Sequence, residues 1–270
     1  MSSFFPIFSV PAGEAAAHPG VMHRMHQGEV AGILVRDVYT PQQCAELVGR
    51  LERGEHKVMR SSFPPPFKSH FLGANLNLLP PDMRPYFAAV PEFHRALSDM
   101  FAGLPDLRQH LASLFSALDG GRAYRAAPGP DGEHMFTTLR ANLPGGFLPP
   151  HFDDEAAERP GYRYVKPQIT GDLYSFVLAF SSAEEGGALE VFDYDRGSTS
   201  YRMVDGPGSA AELVAQARDS LQIRLQPGEM ILFRSGRVLH RLTPVGGQRT
   251  RWTACSFMAQ AHDGSFLCWG

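Results

Sequence analysis

From residue 32 the chain reads GILVRDVYTPQQCAELVGRLERGE: an apolar stretch of strand length, then apolar positions at helical spacing. Cys44, Leu47 and Leu51 fall on one helical face. Thr40 fits the N-cap and Pro41 the first helical position, where a missing N–H costs nothing. RPYFAAVPEFHRALSDMFAGLPDLRQHLASLFSALDGG predicts two or three further helices, stopped by Gly120 and Gly121. Between these regions SSFPPPFKSHFLGANLNLLPP is rich in proline and predicts irregular structure.

Near residue 135 the period changes from helical to strand-like. MFTTLRANLPGG predicts a strand ending in a glycine pair. LYSFVLAFSS, the turn AEEGG and ALEVFDY predict two strands and their connection. LQIRLQPGEMILFRSGRVLHRLTPVGGQRTRWTACSFMAQ predicts several more, punctuated by Pro227-Gly228, Ser235-Gly236 and Gly246-Gly247. Many short strands after a helical start predict an α+β fold, a jelly roll with N-terminal helices packed outside it. The expected organisation is one domain over 1–270: a mainly helical part to 134, a jelly-roll core from 135 to 260 and a tail from 261 to 270.

At 43% apolar and 20% charged residues, the chain can bury a sizeable core. A net charge of −3 without a basic stripe gives no footprint for nucleic acid. No apolar run reaches the ~18 residues of a membrane helix. The start, MSSFFPIFSV, lacks a basic region and is broken by Pro6, so it does not read as a signal peptide. Three widely spaced cysteines make no disulfide framework or zinc knuckle, and a reducing cytoplasm is the expected location. The expected partners are a small-molecule substrate and at most a second copy of the chain, with no nucleic acid or membrane.

The chemistry centres on LPPHFDDEA. An H-x-D triplet arises by chance roughly half a time in such a chain, so His151 and Asp153 need a context. On a strand they would share a face, with Phe152 turned away. His240 supplies a third ligand, near the end of a late strand limited by a proline. Two imidazoles and a carboxylate make the facial set of non-haem iron(II) oxygenases, with three positions left open. The bland readings are a surface histidine, a turn-capping aspartate and a satisfied core histidine. His110, His134 and His262 keep such readings.

Four segments, in order, resemble the iron(II)- and 2-oxoglutarate-dependent oxygenases of the prolyl-4-hydroxylase-like branch. They are LRANLPGGFLPPHFD, LYSFVLAFSSAEEGGALEVF, QPGEMILFRSGRVLHRLTPV and GGQRTRWTACSF. VRDVYTPQQCAELVGRLE resembles the family's first helix. The layout is also similar to free-standing small-molecule members, such as N-substituted amino-acid hydroxylases and the related alkaloid halogenases. The resemblance implies a double-stranded β-helix of cupin type, with iron(II) on His151, Asp153 and His240, and 2-oxoglutarate and dioxygen as co-substrates. It implies an arginine about ten residues beyond the distal histidine for the distal carboxylate of 2-oxoglutarate. Arg251 matches the family's strand best, and Arg249 fits the spacing equally well. Tyr174 and Asn142 are further candidates at the co-substrate, although a core aromatic explains Tyr174 as well.

Arg140 alternates inward beside Asn142 and is a candidate for the substrate. So are Arg163 and Arg202, in the two long inserts DEAAERPGYRYVKPQITGD and DYDRGSTSYRMVDGPGSAAELVAQARDS. The implied reaction is hydroxylation of an unactivated C–H bond of a small molecule, an amino-acid derivative or a natural-product intermediate. Halogenases of this group carry Gly or Ala in place of the carboxylate ligand, whereas this chain keeps Asp153. A peptide or protein hydroxylase, and a cupin-type isomerase or binding module without oxygenase activity, stand as the alternatives.

Overall fold

A computed structural model describes residues 4–54, 57–154, 159–194 and 207–270. It is a mixed helix and sheet structure with a ten-stranded and a four-stranded sheet. Their strands, in chain order, are β1 Ile7–Pro11, β2 Gly32–Arg36, β3 Arg60–Ser62, β4 Ser69–Leu72, β5 Tyr124–Ala126, β6 Thr138–Asn142 and β7 Leu148–His151. There follow β8 Ile169–Ala179, β9 Leu189–Phe192, β10 Ser220–Ile223, β11 Met230–Phe233, β12 His240–Leu242, β13 Arg251–Ala261 and β14 Phe266–Trp269. The large sheet runs β1-β2-β11-β8-β13-β6-β4-β3, and β14 pairs with both β13 and β5. The small sheet runs β10-β9-β12-β7.

Five helices accompany them among the described residues: α1 Val21–Gln27, α2 Pro41–Arg53, α3 Arg84–Met100, α4 Leu107–Leu118 and α5 Pro207–Gln216. Helix α2 starts where its sequence says it should. The Thr40 hydroxyl accepts from the Gln43 N–H at 3.2 Å, and the Gln43 side chain accepts from the Thr40 N–H at 2.8 Å. Such a reciprocal cap contributes about 1 kcal/mol. The helix ends at Gly54, whose φ of 68° favours a residue without Cβ. Its predicted face, Cys44, Leu47 and Leu51, is buried.

Strand alternation divides the core into two. Tyr174, Phe176 and Leu178 of β8, with Met230 and Leu232 of β11, join helix residues such as Met25, Leu47, Phe93 and Phe115 in the main cluster. The alternate residues Ala179, Ile231 and Phe233 pack instead against Leu189, Val191 and Ile223 of the small sheet. Helices α1 to α4 therefore cover one face of the large sheet, and the small sheet covers part of the other. The functional cavity lies between the two sheets.

Three expectations need correction. The mainly helical part contributes five strands, β1 to β5, to the large sheet, because short segments pair with strands from far along the chain. The proline-rich stretch holds two of them, β3 and β4. The expected tail contains β14, a buried strand after the turn at His262–Gly264. No helix among the described residues is long and apolar enough to cross a membrane.

One buried histidine of this scaffold gives a stability prediction. His94 of α3 accepts from the Phe136 N–H at 3.4 Å, while Arg108 and Glu133 reach its Nδ1 at 2.9 and 3.0 Å. Burial, and then the Arg108 guanidinium, pull its pKa down to about 4. An unfolded histidine near 6.5 takes up its proton earlier, so this contribution is complete above about pH 6.5 and is lost as pH falls toward 4. Urea unfolding of the metal-free protein at pH 7, 5.5 and 4.5 should show His94→Gln losing roughly 2 kcal/mol less than wild type over that range. Equal losses would remove His94 as a source of acid lability.

Candidate active site

The last residue of β7 and the first of β12 face each other across an antiparallel ladder. His151 is paired with His240, and their rings lie 4.3 Å apart between centroids. The His151 Nδ1 lies 2.7 Å from the Pro149 carbonyl oxygen, and the His240 Nδ1 lies 2.8 Å from that of Val238. A carbonyl only accepts, so each Nδ1 carries the hydrogen and each neutral ring keeps its lone pair on Nε2. Those two Nε2 atoms point at one carboxylate. The His151 Nε2 is 3.5 Å from Asp153 Oδ1, and the His240 Nε2 is 3.7 Å from Asp153 Oδ2. One ligating atom from each of the three residues lies within 4.8 Å of the others.

Asp153 is not on the strand. Strand β7 ends at His151, and Asp153 stands in the turn beyond it, its N–H donating to the Ser235 carbonyl at 3.0 Å. Phe152 anchors that turn in a separate apolar cluster with Phe192, Leu213 and Leu239. The shared direction of the pair thus comes from a strand end and a pinned turn. Burial, and then the neighbouring His151, lower the His240 pKa to about 4, so the imidazole is neutral at neutral pH. Burial pushes the Asp153 carboxyl up, but His240 and His151 outweigh it and hold the pKa down at about 2. Two neutral imidazoles and an ionised carboxylate are a donor set for a divalent metal.

The cavity beside this triad is lined from both sheets, and includes Arg140, Ser175, Arg251, Thr253, Cys255 and Phe257. Arg251 opens β13 and is only 5% exposed. Its stem passes Gly187, where an added Cβ would come within 3.2 Å of Arg251 Cδ and 2.8 Å of Ala183 Cβ, at a φ of 61°. The EEGG turn therefore makes room for this arginine. Arg249 lies before the strand, with its side chain 75% exposed and 3.4 Å from Glu184. It lines an outer groove rather than the cavity, so the two arginines do not share a face. Asn142 is opposite Arg251 in the ladder, fully buried, and neither polar atom of its amide has a hydrogen-bond partner among the described residues.

Tyr174 is a correction. It takes the helix side of β8, and its hydroxyl lies 2.8 Å from His26 Nδ1, while Ser175 and Val177 face the cavity. A register shift between Thr170 and Tyr174 helps set that parity. Arg163 is also displaced from the site: it is exposed and stacked over the Tyr164 ring at 4.5 Å. Arg202 and Arg196 lie outside the described residues, as does Glu155.

The structure adds wall residues that the sequence did not single out, among them Phe63, Thr253 and Cys255. Thr253 and Cys255 were readable from their parity with Arg251 once that strand was recognised. Asn75 and Asn77, from the proline-rich segment, also line it.

Comparison with known proteins bears on these features. The N-substituted L-amino acid dioxygenase of Burkholderia ambifaria AMMD, solved with and without alpha-KG, has a similar fold. Both structures give a TM-score of 0.56 at 16% identity, with 94% of this chain and 91% of that chain covered. No curated protein sequence matches the chain. The family model described as carrier-protein-independent halogenase WelO5 matches residues 4–270, which takes in both sheets, the triad and Arg251. The chain therefore belongs to the family of the carrier-protein-independent halogenase WelO5 and is a 2-oxoglutarate-dependent non-haem iron oxygenase, with iron(II), 2-oxoglutarate and dioxygen as its cofactor and co-substrates.

Proposed function

We propose that the protein hydroxylates an unactivated C–H bond of a small molecule, with His151, Asp153 and His240 holding iron(II) and Arg251 holding the distal carboxylate of 2-oxoglutarate. The observation that carries this reading is the Asp153 carboxylate, whose two oxygens face the two imidazole Nε2 atoms. It fills the place that a chloride would need beside the metal. The residues fit both groups. The triad offers two neutral nitrogens and one anionic oxygen. The orphaned Asn142 amide beside the buried Arg251 offers a hydrogen-bond donor and a cationic fork to a carboxylate.

Iron(II) with 2-oxoglutarate and dioxygen supplies the oxidising power for the C–H bond, as 2-oxoglutarate is decarboxylated to succinate. The chain supplies position. The Pro149 and Val238 carbonyls fix the histidine tautomers, Arg251 anchors the far end of the co-substrate, and the apolar walls at Val177, Phe233 and Phe257 exclude water. In this reading the facing sheets are the two halves of a jelly roll and the chain is one domain. Three free cysteines fit a cytoplasmic enzyme of secondary metabolism.

The family's name favours a second reading, chlorination. Turnover with and without chloride, read by mass spectrometry over a panel of small organic acids and amides, separates them. The expected product carries one added oxygen atom at a rate independent of chloride. Asp153→Gly should lower that hydroxylation by about a hundredfold or more, since it removes a metal ligand. Chloride-dependent chlorination by the wild-type protein would replace the hydroxylase reading.

A further inference from the structure

The cavity holds a second guanidinium that neither the metal nor the distal carboxylate of 2-oxoglutarate requires. Arg140 of β6 is paired with Thr253 in the ladder, one inward position from the Asn142–Arg251 pair. It lines the same cavity as the triad. Its Nε donates to the Ser69 hydroxyl at 2.9 Å, and its plane lies 5.0 Å from the Phe63 ring centroid and 5.3 Å from that of Phe71. These contacts orient the group. Its Nη2 is shut off from solvent and has no hydrogen-bond partner among the described residues, and no salt bridge to Arg140 is found among them.

A buried guanidinium without an ion-pair partner is costly, and its planar N–H donors fit a carboxylate. The charge balance points the same way. With iron(II) and 2-oxoglutarate bound as proposed, the metal and the two inward arginines outweigh Asp153 and the co-substrate by one positive charge. Of the other arginines on the wall, Arg241 is neutralised by Glu190, and Arg159 is turned to the Asn77 backbone carbonyl at 2.8 Å and adds no negative charge. Around Arg140 the surface is aromatic. Phe63 contacts Phe67 at 5.9 Å between centroids, and Phe67 contacts Phe147 at 5.5 Å, a rim that is only partly buried.

We propose that Arg140 receives the carboxylate of a monoanionic substrate whose body is apolar and ring-bearing, and thereby sets which C–H bond faces the metal. The inference rests on the reading above, in which both ends of 2-oxoglutarate are already held. The substrate is docked at its acid end by Arg140 and Ser69, with its ring against the Phe63 rim.

Calorimetry under argon on the protein loaded with iron(II) and 2-oxoglutarate tests this without turnover. The probes are phenylacetate, 3-phenylpropionate and 4-phenylbutyrate, each against its neutral amide. At least one acid should bind wild type about tenfold or more tighter than its amide, the scale of one charged hydrogen bond. Arg140→Gln should reduce that preference to about twofold or less, and Arg140→Lys should keep part of it. Thermal melting and circular dichroism check that both variants are folded. In both, affinity for 2-oxoglutarate should stay within about threefold of wild type, whereas Arg251→Gln loses it. If no acid outbinds its amide, or the preference survives Arg140→Gln, the inference is overturned. If Arg140→Gln and Arg140→Lys weaken 2-oxoglutarate as Arg251→Gln does, Arg140 belongs to the co-substrate and the inference is overturned. Failure of wild type itself to bind 2-oxoglutarate would instead sink the underlying reading.

Discussion

His240→Ala is expected to lower iron(II) affinity by about a hundredfold or more and to take turnover below detection. The imidazole is one of three donors, and its loss leaves His151 and Asp153 alone. Beside it stands Phe233, 5.0 Å away between centroids and without a donor atom, and no other group of metal-ligating side chains is found among the described residues. Thermal melting with manganese(II) as a redox-stable probe reads the effect directly. A ligand that binds only the folded chain stabilises it by about 2.7 kcal/mol at a hundred times its dissociation constant. Wild type should therefore melt several degrees higher with metal, and His240→Ala should melt at the same temperature with and without it. An undiminished metal-induced shift in the variant would show that the three residues do not form the site.

The second large effect is on the co-substrate. Arg251→Gln should weaken 2-oxoglutarate binding by about a hundredfold, because two charge-assisted hydrogen bonds contribute roughly 3 kcal/mol together. Manganese(II) binding should be unchanged, since the triad belongs to the small sheet and its adjoining turn. Arg249→Ala is the control. Its side chain is outside the cavity beside Glu184, and its loss should cost less than about twofold in 2-oxoglutarate affinity. Calorimetric titration of 2-oxoglutarate into the manganese-loaded proteins gives all three numbers. Loss on Arg249→Ala with none on Arg251→Gln would reverse the assignment.

How far the sequence could be read depended on whether a residue's position follows from its neighbours. Helix α2 was legible because Thr40, Pro41 and the Cys44–Leu47–Leu51 spacing act within one helix. The H-x-D pair and His240 were legible because their residue types and order carry the chemistry. The parity of β8 was not. Whether Tyr174 or Ser175 faces inward depends on a register shift against β13 and on the packing of α1, neither of which is a local signal. Strands β3 and β14 are three and four residues long, too short for periodicity to show. The run FLCW after His262–Gly264 did carry a turn-then-apolar pattern that a reading as a tail passed over. The separation of Arg249 from Arg251 depended on where β13 begins, the kind of boundary that composition fixes least well.

The pairing of His151 with His240 on one rung of the small sheet also bears on how such a centre can change. A slip of β12 by one residue against β7 would turn the His240 ring to the other face and leave His151 where it is, so the two nitrogen donors converge only in this strand register. The carboxylate hangs from a turn outside the ladder, where the Asp153–Ser235 backbone bond and the burial of Phe152 hold it. Exchanging it alters the metal's surroundings without disturbing the pairing that keeps the histidines in place. The scaffold thus keeps its two nitrogen donors on hydrogen-bonded strands and its carboxylate donor on a turn, so a substitution at Asp153 leaves the strand pairing as it is.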